Sequence, residues 1–243
     1  MAELKAPLTR DGVLGIIRNK AWYGLNPVTG AFNWKTSVDN IASELGLNPN
    51  RVNSAIAQAI TPNCLSRVAH IENNDNNSQI PLLSALQKIG IKPHIWTVGD
   101  PEWQKTKFER SGASEFVDPD HYHNSTANKL EDLRRIIESL SSYGRKRIIV
   151  VDDKENNLQE VRQLYGEYGK KGIKIGDYLM KLKDGQADAT AFYQWLQQQI
   201  LDVSGEPIEF VLDFDGVVAD TDGVLFGPAT DNLWSLLKNE NAF

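Results

Sequence analysis

FVLDFDGVVADTDG, residues 210–223, is the stretch on which the reading of this 243-residue chain turns. Apolar residues run up to Leu212. Asp213 and Asp215 follow one residue apart, then Gly216, two valines, Asp220 and Thr221. A short apolar run that ends in acids and a glycine reads as a buried strand opening into a loop. Two aspartates after a strand can also be a plain turn, because Asp favours turns. An EF-hand calcium loop is a poor fit, since the third acid and the terminal Glu are missing. The position is the puzzle: only Val224–Phe243 follow.

Upstream the pattern alternates between helix and strand. QIPLLSALQKIG (79–90) is an amphipathic helix closed by Gly90, and KPHIWTV (92–98) a buried strand. DPEWQKTKFERSG (100–112) is a helix closed by Gly112, with Lys105 and Lys107 read as exposed positions, and EFVD (115–118) a short strand. STANKLEDLRRIIESL (125–140) is a helix capped by Ser125 or Thr126, and KRIIVVDD (146–153) a strand. A helix (156–169), a strand (172–182), a helix (188–203), the strand PIEFVLDFD (207–215) and a last helix (229–239) complete the series. Such alternation predicts an α/β fold: a Rossmann-like parallel sheet with helices on both faces.

The first 75 residues differ. VDNIASELGL (38–47) and RVNSAIAQAI (51–60) have helical periodicity, with Ser37 and Asn48 or Asn50 as N-caps. Residues 21–34 carry turn signals and aromatics, and the polar run ENNDNNSQ (72–79) reads as a linker. The division expected is a small helical domain over 1–75, an α/β core over 76–222, and a segment over 223–243 that belongs with the first. The helices around Gly46 also resemble a helix-turn-helix, with Arg51, Asn53, Ser54 and Gln58 offered to bases. A net charge of −6 and a pI near 5.3 weigh against nucleic acid. The single cysteine, Cys64, excludes an internal disulfide, and no apolar run is long enough for a membrane span. A cytoplasmic protein, monomer or dimer, is the expectation.

In parallel sheets, ligands bind beyond the carboxyl ends of the strands. Those ends carry Thr97, the pair Asp152 and Asp153, and the pair Asp213 and Asp215; Lys129 stands at a helix start. Adjacent strands would bring these groups into one crevice, where carboxylates raise one another's pKa and a divalent cation relieves them. An all-oxygen set favours magnesium over zinc. Cation, lysine and hydroxyl together suit a phosphoryl group. Each residue has a plainer reading: Thr97 as an ordinary strand threonine, Lys129 as a solvated lysine, Asp152 and Asp153 as a helix cap. His121 and His123, with no third ligand evident nearby, read as surface residues, and Trp22, Trp34 and Trp234 as packing residues.

LDFDGVVADT resembles the first motif of the haloacid dehalogenase superfamily. IWTVGD resembles its second motif, NKLEDL supplies the third-motif lysine, Lys129, and IIVVDDKENN resembles the acidic fourth. The likeness spans residues 80–226. The family's order is first to fourth; here it is second, third, fourth, first, which reads as a circular permutation cut within a helical cap. The resemblance implies a magnesium-dependent phosphatase acting on a small phosphorylated substrate. Asp213 would be the nucleophile that forms an aspartyl phosphate, Asp215 the acid and base, and Thr97 and Lys129 the groups that hold the phosphoryl oxygens. Magnesium would be held by Asp213, the Asp215 carbonyl and Asp152, with Asp153 in support because Asn156 and Asn157 stand where relatives have a further acid. The family's strand order would set PIEFVLDF between RIIVVDD and HIWTV.

Overall fold

The computed structural model describes residues 8–20, 33–64, 70–73, 78–125, 128–183, 186–201 and 207–240. The expected loop around Trp22 and the proposed Thr126 cap lie outside them.

Five parallel strands form the central sheet: β3 (His94–Val98), β4 (Tyr122–Ser125), β5 (Arg147–Asp152), β6 (Lys174–Leu179) and β9 (Ile208–Leu212). Their order is β4-β3-β9-β5-β6, so β9, the last in sequence, is the middle strand. It pairs with β5 through Arg147↔Ile208 to Val151↔Leu212, and with β3 through His94↔Val211 and Ile95↔Leu212. The all-parallel α/β sheet agrees with the fold class read from the sequence.

Side chains alternate along each strand and feed two cores. Ile95, Ile149, Val151, Phe210 and Leu212 face α4 (Leu82–Lys88), α9 (Ala189–Leu201) and Phe108 of α5 (Pro101–Arg110). Trp96, Ile148, Val150 and Val211 face α6 (Lys129–Ser142), α7 (Glu155–Arg162) and α8 (Tyr165–Gly169).

A third core is helical. The N-terminal helices α1 (Arg10–Lys20), α2 (Trp34–Leu45) and α3 (Pro49–Ala59) pack with the C-terminal helices α10 (Thr221–Phe226) and α11 (Pro228–Glu240). α1 and α11 thus meet within one molecule. Trp103 of α5 enters this core and stacks on Trp34 with ring centroids 3.8 Å apart. Asp100 ties the same junction: one oxygen caps α5 at Trp103 N (3.0 Å) and the other accepts Trp34 N (3.3 Å).

Several local expectations change. Asn33, not Ser37, caps α2, and Ser37 is buried a turn inside it; Asn48 caps α3 as expected. Asn128 caps α6, so that helix starts at Lys129. The edge strand is Tyr122–Ser125 rather than EFVD, because the turn at Asp118-Pro119 delays the chain's entry into the sheet. Overlapping the two ends of the expected linker, β1 (His70–Asn73) and β2 (Ser78–Pro81) form an antiparallel ribbon, and β7 (Leu182–Lys183) and β8 (Gln186–Ala187) form a shorter one. Asn53, offered to bases by the helix-turn-helix reading, accepts the Trp34 indole N–H at 2.9 Å, and Asn232 of α11 donates to the Ala55 carbonyl at 2.9 Å. The second helix of that pair therefore packs against α11. Among the described residues no helix is long and apolar enough to cross a membrane.

Candidate active site

β5 and β9 are hydrogen-bonded neighbours, so their carboxyl ends deliver Asp152 and Asp213 side by side. Asp213 still belongs to the ladder, its N–H donating to the Val151 carbonyl at 2.8 Å. Both side chains are buried: Asp152 is 0% exposed and Asp213 4%. Lys129, the first residue of α6, reaches between them, with its Nζ 2.8 Å from Asp152 Oδ2 and 2.9 Å from Asp213 Oδ1. The ammonium lies 4.2 Å from the Trp96 ring centroid, and the Trp96 indole N–H donates to the Lys129 carbonyl at 2.9 Å. The lysine is thus fixed at both ends. Burial works against its charge, but Asp213 and Asp152 outweigh that and raise its pKa.

Asp213 is under the opposite stress. Burial pushes its carboxyl up to about 7, Asp152 and Asp215 add repulsion, and Lys129 pulls the other way. Asp213 Oδ1 also accepts the Phe214 N–H at 2.9 Å. Asp152 is held by more donors: Lys154 N at 2.8 Å, and Asn157 Nδ2 at 3.0 and 2.9 Å from its two oxygens. Asn157 sits in the first turn of α7 and so turns back over the end of β5. The asparagine where an acid was looked for therefore clamps Asp152. Its nearness to the acidic pair was the available sequence signal.

Asp153 completes the group. Carboxylate oxygens of Asp152, Asp153 and Asp213 lie within 4.8 Å of one another. Burial, then Asp152, raises the Asp153 pKa, and its Oδ1 is buried with no hydrogen-bond partner. It faces Gly216, whose φ is +82° and whose place a Cβ could not share with the Asp153 carboxylate. Glycine is required there twice over, for its backbone and for its missing side chain.

Asp215 points elsewhere, to Lys107. Nζ of Lys107 lies 2.5 Å from Asp215 Oδ2, and the lysine is only 3% exposed. This corrects the reading of Lys107 as an exposed helix position. Trp103, Gln104, Lys107 and Phe108 recur at helical spacing and form the buried face of α5, whereas Lys105 is exposed. That spacing turns Lys107 inward whatever its charge. Thr97 is buried at the tip of β3, beside β9. Among the described residues, no hydrogen bond joins its hydroxyl to the carboxylates.

The residues present fit a divalent cation. Four aspartates against two lysines leave a formal charge of −2 when all are ionised. The donors are oxygens, and one buried oxygen, Asp153 Oδ1, lacks a partner. Hard oxygen sets of this kind suit magnesium.

His121 and His123 are half-buried rather than on the surface, and a third histidine joins them. His94 Nδ1 lies 3.0 Å from His123 Nε2, and the His94 ring stacks on His121 at 3.8 Å. Burial, then His121 and His123, lowers the His94 pKa to about 3. His94 opens β3, at the opposite end from Thr97, so this group is separate from the carboxylates. Comparison with known proteins gave no match: no family model, no curated protein and no solved structure is detectably similar to the chain.

Proposed function

We propose that the chain is a magnesium-dependent phosphomonoester hydrolase that works through an aspartyl-phosphate intermediate, a circularly permuted relative of the haloacid dehalogenase superfamily. The observation that carries this reading is the bridge of buried Lys129 between Asp213 and Asp152, with Asp153 within reach of both, at the carboxyl ends of neighbouring central strands.

Asp213 attacks the phosphorus of the substrate and forms the acyl phosphate. Lys129 neutralises charge on the nucleophile and on the phosphoryl oxygens. Asp215 gives a proton to the departing oxygen and then takes one from the water that opens the acyl phosphate. Thr97 donates to a phosphoryl oxygen. Asp152, Asp153 and Asp213, with the Asp215 carbonyl, would hold magnesium, which supplies positive charge to the phosphoryl group when bound. Asn157 and Lys154 N keep Asp152 oriented. The substrate is a small phosphorylated molecule.

The test is hydrolysis of p-nitrophenyl phosphate by wild type and Asp213→Asn, in magnesium and in EDTA. Turnover that requires magnesium and disappears in the variant supports the proposal. Undiminished turnover in EDTA, or a folded wild type inactive on this ester and on a panel of phosphate monoesters, would overturn it.

A further inference from the structure

The two aspartates of the first motif each have a buried lysine, and the two lysines come from different helices. Lys129 of α6 serves Asp213 and Asp152. Lys107 of α5 bonds Asp215. Lysine is among the residues least often buried, and it is buried almost only when paired. The Lys107 stem runs past the Trp103 and Phe214 rings, its Nζ 6.0 and 5.9 Å from their centroids. The space beside it is lined by Ile60, Cys64, Ser111, Phe214, Ala219 and Val224. An apolar side chain would fill such surroundings at least as well, because burying an ion pair is weak evidence for stability. The ammonium is therefore explained by the carboxylate it holds.

We propose that Lys107 is a positioning residue of the reaction, clamping Asp215 in the orientation from which it serves the leaving group. This rests on the phosphatase reading. As the P–O bond to the leaving group breaks, the Asp215 proton passes to the departing oxygen. When water attacks the phosphorus of the acyl phosphate, its proton returns to Asp215, so the carboxyl is restored. Lys107 exchanges no proton in either step. It limits the rotamers of Asp215, and thereby couples leaving-group departure to the seating of α5, the helix that carries the Trp103–Trp34 stack.

The experiment measures kcat/KM along a series of aryl phosphates from p-nitrophenyl to phenyl phosphate, for wild type, Lys107→Met and Lys107→Arg, with folding checked by thermal melting. Lys107→Met is expected to steepen the dependence on leaving-group basicity, losing about tenfold more on phenyl phosphate than on p-nitrophenyl phosphate. Lys107→Arg is expected to restore most of that difference. An equal loss across the series would show a merely structural lysine and overturn the proposal, as would no loss. If Lys107→Met does not fold, Lys107→Arg and Lys107→Gln carry the same comparison. A wild type inactive on the whole series defeats the phosphatase reading and this inference with it. An active wild type whose variants keep a parallel series defeats the inference alone.

Discussion

Replacing Asp213 by asparagine should stabilise the protein when no divalent cation is present, and the gain should grow with pH. Burial, reinforced by Asp152 and Asp215, holds the Asp213 carboxyl up at about 7 against its ordinary 3.8. That displacement stands for about 4 kcal/mol against the anion. The folded protein holds this proton more tightly than the unfolded chain. Its contribution is therefore complete below about pH 4, falls as the pH rises, and is gone above about pH 7. At pH 5 roughly 2 kcal/mol of it is lost, and at pH 8 nearly all. Asparagine does not titrate, and its amide oxygen can still accept the bonds that Lys129 and the Phe214 N–H make to Oδ1. The stability difference between Asp213→Asn and wild type should thus shift by about 2–3 kcal/mol in favour of the variant between pH 5 and pH 8. Urea denaturation of both proteins in EDTA at the two pH values measures it. A difference that stays constant with pH would refute the argument, for it would mean that Asp213 does not ionise under strain. Magnesium should then stabilise wild type more than the variant at pH 8, since a ligand of the native state adds stability by mass action.

Three further outcomes follow from the same geometry. Gly216→Ala should destabilise by about 1–3 kcal/mol through its positive φ and should weaken magnesium binding by displacing Asp153, as read by calorimetric titration; unchanged affinity would separate Asp153 from the metal. Asn157→Ala removes one donor from each oxygen of Asp152 and should reduce magnesium affinity or turnover by about 10- to 100-fold while leaving the fold intact. His94 is held near 3 by burial, then by His121 and His123, so its stabilisation is complete above its unfolded value of about 6.5 and is lost as the pH falls toward 3. His94→Gln should therefore lose about 2 kcal/mol less than wild type between pH 7 and pH 5, a difference that denaturation curves at the two pH values would show.

β3, β5 and β9 were legible because each is a short apolar run reaching acids or a hydroxyl, a signal that depends on chain-local pattern alone, whereas β4 carries no apolar run. The central place of β9 came instead from the resemblance, since no periodicity says which strand neighbours which. The misplacements share one physical cause: local signals were read where tertiary contacts decide. EFVD has strand composition, but Phe116 and Val117 reach the core from the turn region around Asp118-Pro119. Ser37 is a good cap by type, yet α2 begins three residues earlier, where Asn33 accepts the Thr36 N–H at 2.9 Å. Lys107 was misjudged because residue type outweighed position: the helix stripe Trp103, Lys107, Phe108 points inward whatever the charge. His94 was invisible as a partner of His123 because the pair is made across β3 and β4, whose pairing lies beyond any local window.

The strand that leads to the strained carboxyl ends in a fully buried run, and the two facts belong together. Phe210, Val211 and Leu212 are each 0% exposed, with Phe210 and Leu212 in one core and Val211 in the other. Burying three such side chains is worth about 1.5–3 kcal/mol apiece, which exceeds the roughly 4 kcal/mol carried against the Asp213 anion. An edge strand, with one neighbour and less burial, would offer no such margin. Central placement has a second effect. Only a strand with partners on both sides can set its terminal acid beside Asp152 of β5 while the tip of β3 lies on the other flank. Position in the sheet, rather than position in the sequence, decides where Asp213 must be, and that is why a residue so late in the sequence stands beside Asp152 and Lys129.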